Sequence, residues 1–236
     1  MQATITDFSN ISQTCYTMTM KKIISFDLDG TLVHGKYGNM VWNHGIPQEY
    51  SRKYGMPFKE AEQLIRHQYE EVGEANIKWY HIEYWLKRFD LPVSAKTLLD
   101  RFESYIEVFP DTKEVLEALK NTYTLIVASN AAQIFVQKEL SYANLTSYFT
   151  HIISATSDYC MVKKEIRFYE KLCDTLSISP YEIVHVGDHH IFDFETPSQL
   201  GIDAYHFVPD HKDSSNQSHT DNGKTIHCLS DLLNIL

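Results

Sequence analysis

The chain has 236 residues, 43% of them hydrophobic and 22% charged, with a formal net charge of −10. That balance excludes a disordered chain and a membrane bundle, because no apolar run approaches the ~18 residues a membrane span needs. The acidic excess argues against nucleic-acid binding, which rests on basic patches, but still admits a small phosphorylated ligand if a metal ion reverses the local field.

Residues 1–19 are rich in Thr and Ser and have no apolar core. They lack the basic start and long apolar stretch of a signal peptide and read as a disordered extension, with Met20 as an alternative start. Lys21–Asp27, KKIISFD, reads as a buried strand ending in acid, and the polar, Gly-rich run HGKYGNMVWNHG follows. From Pro47 to about Glu107 the pattern is helical, with apolar and aromatic residues recurring through Ile65, Tyr69 and Val72, then Trp79, Ile82, Trp85 and Phe89. Pro92 breaks the run, and Ser94 is placed to cap a further helix.

Beyond this block the character changes. Asp111 and Glu114 form a capping arrangement for a helix, and TLIVAS at Leu125–Ser129 is a second strand. Ile152 and Ile153 mark a third strand, and Lys164–Leu176 is helical. Ser179, Pro180 and Glu182 make a helix-start signature ahead of a fourth strand, Ile183–Gly187. Ala204–Val208 is a fifth, and Ile226–Leu229 a last one, with Ser230 capping a terminal helix. Strands alternating with helices predict an α/β fold with a doubly wound parallel sheet, interrupted by one inserted helical block. Ligands bind such sheets beyond the carboxyl ends of the strands, where Asp27, Ser129 and Asp188 fall.

The four cysteines, Cys15, Cys160, Cys173 and Cys228, form no C-x-x-C pair and read as free thiols in a reducing cytosol. Without a secretory signal, the N-x-S/T sequons at Asn10, Asn144 and Asn216 read as chance.

Chemistry concentrates in a few short motifs. In D-L-D-G-T, Asp27–Thr31, two carboxylates two residues apart can reach one site, and Gly30 permits a sharp turn. Paired carboxylates repel unless a cation or proton lies between them, which points to a metal plus an acid/base role. In G-D-x-x-x-x-D, Gly187–Asp193, Asp188 is presented at the end of an apolar strand. Ser129-Asn130 ends another strand with donors suited to phosphate, and Lys163-Lys164 offers compact cations for the same purpose.

Taken together and in this order, the motifs resemble the haloacid dehalogenase superfamily across about residues 21–236. The resemblance implies a Rossmann-like core and phosphatase chemistry through an aspartyl-phosphate with Mg2+. It makes Asp27 the nucleophile and Asp29 the general acid and then base. Ser129 and Asn130 bind the phosphoryl group, and Lys163 neutralises charge. Asp27, the Asp29 carbonyl and Asp188 hold the metal, with Asp193 in support. Tyr169 selects Lys163 by spacing, but Lys164-Glu165-Ile166 stands where the family favours proline, so Lys164 stays a live alternative. His189 and Pro197 also depart from the usual small residues at their positions.

The implied division is a core of residues 20–34 and 109–236 with a helical cap of residues 35–108, hinged near Gly35, Gly38 and Gly45. Tyr37, Trp42 and His44 are the cap residues expected to meet substrate. The expected partner is a small phosphorylated metabolite, with no nucleic acid and no membrane, for a cytoplasmic monomer. A phosphomutase and a catalytically silent binding protein on the same fold are the alternatives. Asp29 argues against dehalogenation, which does not need the second acid. G-T-L-V-H-G-K at Gly30–Lys36 resembles a phosphate loop superficially, but Tyr37 stands where that loop needs Ser or Thr. Among the histidines, His185 reads as packed in its strand, and His189 and His190 as possible pocket residues.

Overall fold

The computed structural model describes residues 20–162, 165–209 and 223–236. Six strands form one sheet: β1 (Ile23–Phe26), β2 (Thr124–Ser129), β3 (His151–Ser154), β4 (Ile183–Gly187), β5 (Asp203–Phe207) and β6 (Thr225–Ile226). Their order is β3-β2-β1-β4-β5-β6, and every neighbouring pair is parallel. β1 and β4 are buried along their whole length, as expected of strands covered on both faces. The strand order reverses at β1, so the carboxyl ends of β1, β2 and β4 open on one crevice.

Eleven α-helical segments accompany the sheet among the described residues. Between β1 and β2 lie α1 (Lys36–Met40), α2 (Ile46–Tyr54), α3 (Phe58–Val72), α4 (Ile82–Arg88), α5 (Ala95–Phe102) and α6 (Thr112–Leu119). α7 (Gln133–Tyr142), α8 (Ala155–Asp158), α9 (Ile166–Leu176), α10 (Thr196–Leu200) and α11 (Leu232–Ile235) follow. Alternate strand residues feed two separate cores. Ile24, Phe26, Val127 and Val184 pack with Leu116, Val136 and Leu232 of α6, α7 and α11. Ile23, Ile126 and Ile183 pack with Phe168, Leu172 and Leu200 of α9 and α10 on the opposite face. No helix among the described residues is long and apolar enough to cross a membrane.

Helical structure begins at Lys36, eleven residues ahead of the expected Pro47, and runs through a π-helical turn at Val41–Gly45 into α2. The glycines disguised this stretch as a loop. Gly45 permits a close approach, since a Cβ on it would lie 2.6 Å from Phe102 Cε2. Within the block, buried Glu49 of α2 pairs with Arg52 and with Arg101 of α5, tying the two helices together. Ser94 caps α5 as expected, accepting from Thr97 N at 3.1 Å.

Two other capping expectations need correction. The Asp111 carboxylate does not cap α6; it accepts from Ser230 N at 2.8 Å, joining α6 to the C-terminal turn. Asp231, not Ser230, caps that turn, accepting from His227 N and Cys228 N. The last strand is limited to Thr225–Ile226, because His227 and Cys228 already belong to this cap. The signature at Ser179–Glu182 forms its capping box around a single 3-10 turn and not a longer helix. Pro197 sits in the first turn of α10, which continues from a π-helical turn at His190–Glu195. Cys160, Cys173 and Cys228 are free thiols, and burial pushes the Cys173 thiol up to about 11, which keeps it inert.

Candidate active site

Asp27 follows the last residue of β1, its N–H donating to Val186 O at 2.8 Å, so the strand geometry carries one residue past β1. The chain then folds back tightly: Leu28 O accepts from Leu32 N at 2.9 Å, and Gly30 N donates to Val33 O at 2.7 Å. Gly30 makes this turn at φ +84°, a conformation that favours glycine. A Cβ there would lie 2.2 Å from Asp188 Oδ2, so the bare backbone also makes room for the carboxylate arriving from β4.

Gly187 ends β4 in the same way. A Cβ on it would lie 2.4 Å from Asp193 Cγ. Asp193 is buried on a π-helical turn, His190–Glu195, and is held from two sides. Its Oδ1 lies 3.1 Å from His185 Nε2, and its Oδ2 accepts from His189 N at 3.0 Å. His185 is wholly buried in β4, and its Nδ1 lies 2.9 Å from Oγ of Ser25, its register partner on β1. It is therefore a packed histidine that orients Asp193. His189 stacks on Phe192 with centroids 4.1 Å apart and accepts from Phe192 N, so its imidazole shapes the loop.

Asp27, Asp29, Ser129, Asn130, Asp188 and Asp193 line one cavity of about 260 Å³. Carboxylate oxygens of Asp27, Asp188 and Asp193 lie within 4.8 Å of one another. Three carboxylates this close suit a hard cation with oxygen ligands and repel one another without one. Ser129 is buried at the end of β2 and its Oγ accepts from Ala131 N at 3.1 Å, which leaves the hydroxyl proton to donate. Lys163 and Lys164 lie outside the described residues.

The sequence did not point to three further groups. Glu74 and Tyr80, from the helical block, line the same cavity, and burial with the charge of Glu74 pushes the Tyr80 phenol up to about 12. Glu139 on α7 is wholly buried beside Asp29, though neither of its oxygens makes a hydrogen bond of normal geometry. Burial first, then the charges of Asp29 and Asp27, hold its carboxyl well above the usual range. One signal was available: Glu139 occupies an apolar position of a helix whose other buried residues are Phe135, Val136 and Leu140. Glu139→Ala is expected to lower stability by about 2–4 kcal/mol in urea denaturation, through a cavity at the site floor, whereas Glu139→Gln, neutral and isosteric, stays within about 1 kcal/mol. Equal losses in the two variants would show that the acid proton, not the filled volume, matters.

Of the block's three expected contact residues, only Trp42 lines the crevice. Tyr37 is wholly buried, its OH donating to Leu99 O at 3.3 Å, and His44 packs between Phe58 and Phe102. Lys36, the lysine of the phosphate-loop look-alike, pairs with Glu107 at 2.9 Å and lines neither cavity of the crevice. His190 lies 3.4 Å from Glu195 and also lines neither of them.

Comparison with known proteins agrees with this geometry. The GMP/IMP nucleotidase YrfG of Escherichia coli is 24% identical over 180 residues, 76% of this chain and 79% of that protein. A glyceraldehyde 3-phosphate phosphatase of Pyrococcus abyssi is 26% identical over 208 residues, covering 80% and 82% of the two chains. In fold, the crystal structure of a HAD phosphatase from Thermococcus onnurineus matches with a TM-score of 0.75 at 24% identity, over 92% of this chain and 97% of that one. The family model for haloacid dehalogenase-like hydrolases matches residues 21–201, and the chain belongs to that family of hydrolases.

Proposed function

We propose that the protein is a Mg2+-dependent phosphatase that hydrolyses a small phosphomonoester through a phosphoryl group carried on Asp27. The observation that supports this most is the meeting of Asp27, Asp29, Ser129 and Asp188 at the carboxyl ends of three parallel strands, around one cavity. A carboxylate oxygen of Asp27 attacks phosphorus, and the bond to the leaving oxygen breaks as Asp29 gives that oxygen a proton. Asp29, now a carboxylate, takes a proton from water, which attacks the same phosphorus and releases phosphate and free Asp27. The Ser129 hydroxyl and the Asn130 amide hold the phosphoryl oxygens through both steps.

Asp27, Asp188 and the Asp29 carbonyl would hold the metal, whose charge offsets that of the phosphoryl oxygens. Asp193, with both oxygens already engaged by His185 and His189, positions the loop that carries Asp188. Lys163 is assigned the remaining cationic role, with Lys164 as its alternative. Residues 35–108 act as a cap that closes over the crevice and excludes water, a role supported by Glu74, Tyr80 and Trp42 reaching the cavities from that side.

Hydrolysis of a generic aryl phosphate tests the proposal. Chelation is expected to abolish turnover and added Mg2+ to restore it. Full activity in chelator, with the protein folded, would refute the metal-dependent mechanism.

A further inference from the structure

The carboxylate cavity opens into a second, larger one of about 390 Å³, and the two share Asp29, Tyr80 and Ala131. Its walls are aromatic: Trp42, Tyr69, Trp79 and Tyr80 from the helical block, faced by Phe135 of α7. These rings support one another. Trp42 lies nearly parallel to Phe135, with centroids 5.4 Å apart and planes at 14°, and Tyr69 meets Trp42 edge-on at 6.0 Å. The Tyr69 hydroxyl donates to Trp42 O at 3.2 Å, and Tyr69 packs against Trp79 at 5.8 Å. The π-helical turn at Val41–Gly45 is what aims Trp42 and Asn43 at the cavity.

The chemistry of the walls discriminates among leaving groups. Among the described residues no lysine or arginine lines either cavity, while Asp29 and Glu74 do. A leaving group with its own carboxylate or second phosphate would meet the carboxylates of Asp29 and Glu74. A two- or three-carbon alcohol would leave most of the larger cavity unfilled. An uncharged flat ring fills it, stacks on fixed aromatic faces, and presents its edge to Asn43.

Resting on the phosphatase reading, we propose that the substrate is a phosphomonoester whose leaving group carries an uncharged aromatic ring system of nucleoside size, seated against Trp42, Trp79 and Phe135. The test compares kcat/KM, in Mg2+, for nucleoside 5′-monophosphates and naphthyl phosphate against 2-phosphoglycolate and glycerol 3-phosphate. Ring-bearing esters are expected to be preferred by about 30-fold or more, an increment of the size one or two stacking contacts give. Trp42→Leu is expected to cut that preference about tenfold, mainly through KM, and inosine is expected to quench the tryptophan fluorescence of wild type. Equal use of both substrate groups, or a preference for 2-phosphoglycolate, would overturn the ring assignment and leave the phosphatase standing. No hydrolysis of any ester by the folded protein would instead overturn the phosphatase reading itself, and the substrate assignment with it.

Discussion

Asp27→Asn is expected to lower kcat for aryl phosphate hydrolysis by on the order of 10⁴-fold, because an amide cannot form the bond to phosphorus on which the proposed two-step route depends. The loss belongs in kcat, since the amide keeps the shape of the site. The fold is expected to survive and, without metal, to gain: one charge leaves a set of three carboxylates whose oxygens lie within 4.8 Å of one another. Melting with and without Mg2+ provides a separate reading. Wild type is expected to gain stability from the ion by mass action, and the variant to gain less. A variant that melts normally and still turns over within tenfold of wild type would remove Asp27 from the role of nucleophile.

Gly187→Ala is expected to be a severely damaging single-methyl change. The new Cβ would lie 2.4–2.6 Å from three atoms of Asp193. That side chain cannot swing aside cheaply, being buried and held by both His185 and the His189 N–H. Displacing it breaks the contact with His185 Nε2 inside the buried row that runs on to Ser25 Oγ. Overpacking with loss of a buried polar network points to about 3 kcal/mol or more of lost stability and a comparable collapse in activity. Gly30→Ala is the instructive contrast. Its Cβ meets Asp188, an exposed carboxylate, and the φ of +84° adds about 1–2 kcal/mol of backbone strain, so stability falls less than in Gly187→Ala while activity falls with the displaced carboxylate. Denaturant midpoints for the two variants check the ordering, and a mild Gly187→Ala would mean that the loop after β4 yields more easily than its hydrogen bonds imply.

The central strands were legible in the sequence because burial on both faces writes them as short apolar runs, KKIISFD and IVHVGD, each ending in an acid of the candidate site. The parallel, doubly wound sheet followed from their alternation with helices. The helix at 36–54 was not legible: Gly38 and Gly45 argue for a loop by propensity, and only the nearness of Phe102 explains why Gly45 is small. Asp27, Asp29, Ser129, Asn130, Asp188 and Asp193 were named from motifs and fall around one cavity. Glu74 and Tyr80 were not, because residues reaching the site from the helical block carry no periodicity that marks them. Asp111 shows the limit of local capping rules: its carboxylate serves a partner 119 positions away.

The two ends of the helical block leave the sheet side by side. Val33 bridges Val108 in antiparallel fashion, His34 N donates to Glu107 O at 2.8 Å, and Phe109 N donates to Leu32 O at 3.1 Å. Topologically the whole excursion is a loop closed at its neck, so its length enters folding only through a slowly growing closure entropy. Whatever is spliced beyond that bridge, the register of β1 against β2 and β4 is set by the pairing of the strands themselves. Such a joint lets a lineage exchange the part that lines the crevice from the helical side while the acids at the sheet edge stay where they are. An exchange must honour the face of Phe135, on which any replacement for Trp42 has to rest, and the Lys138 ammonium, which pairs with Asp100 and Glu103 of the block.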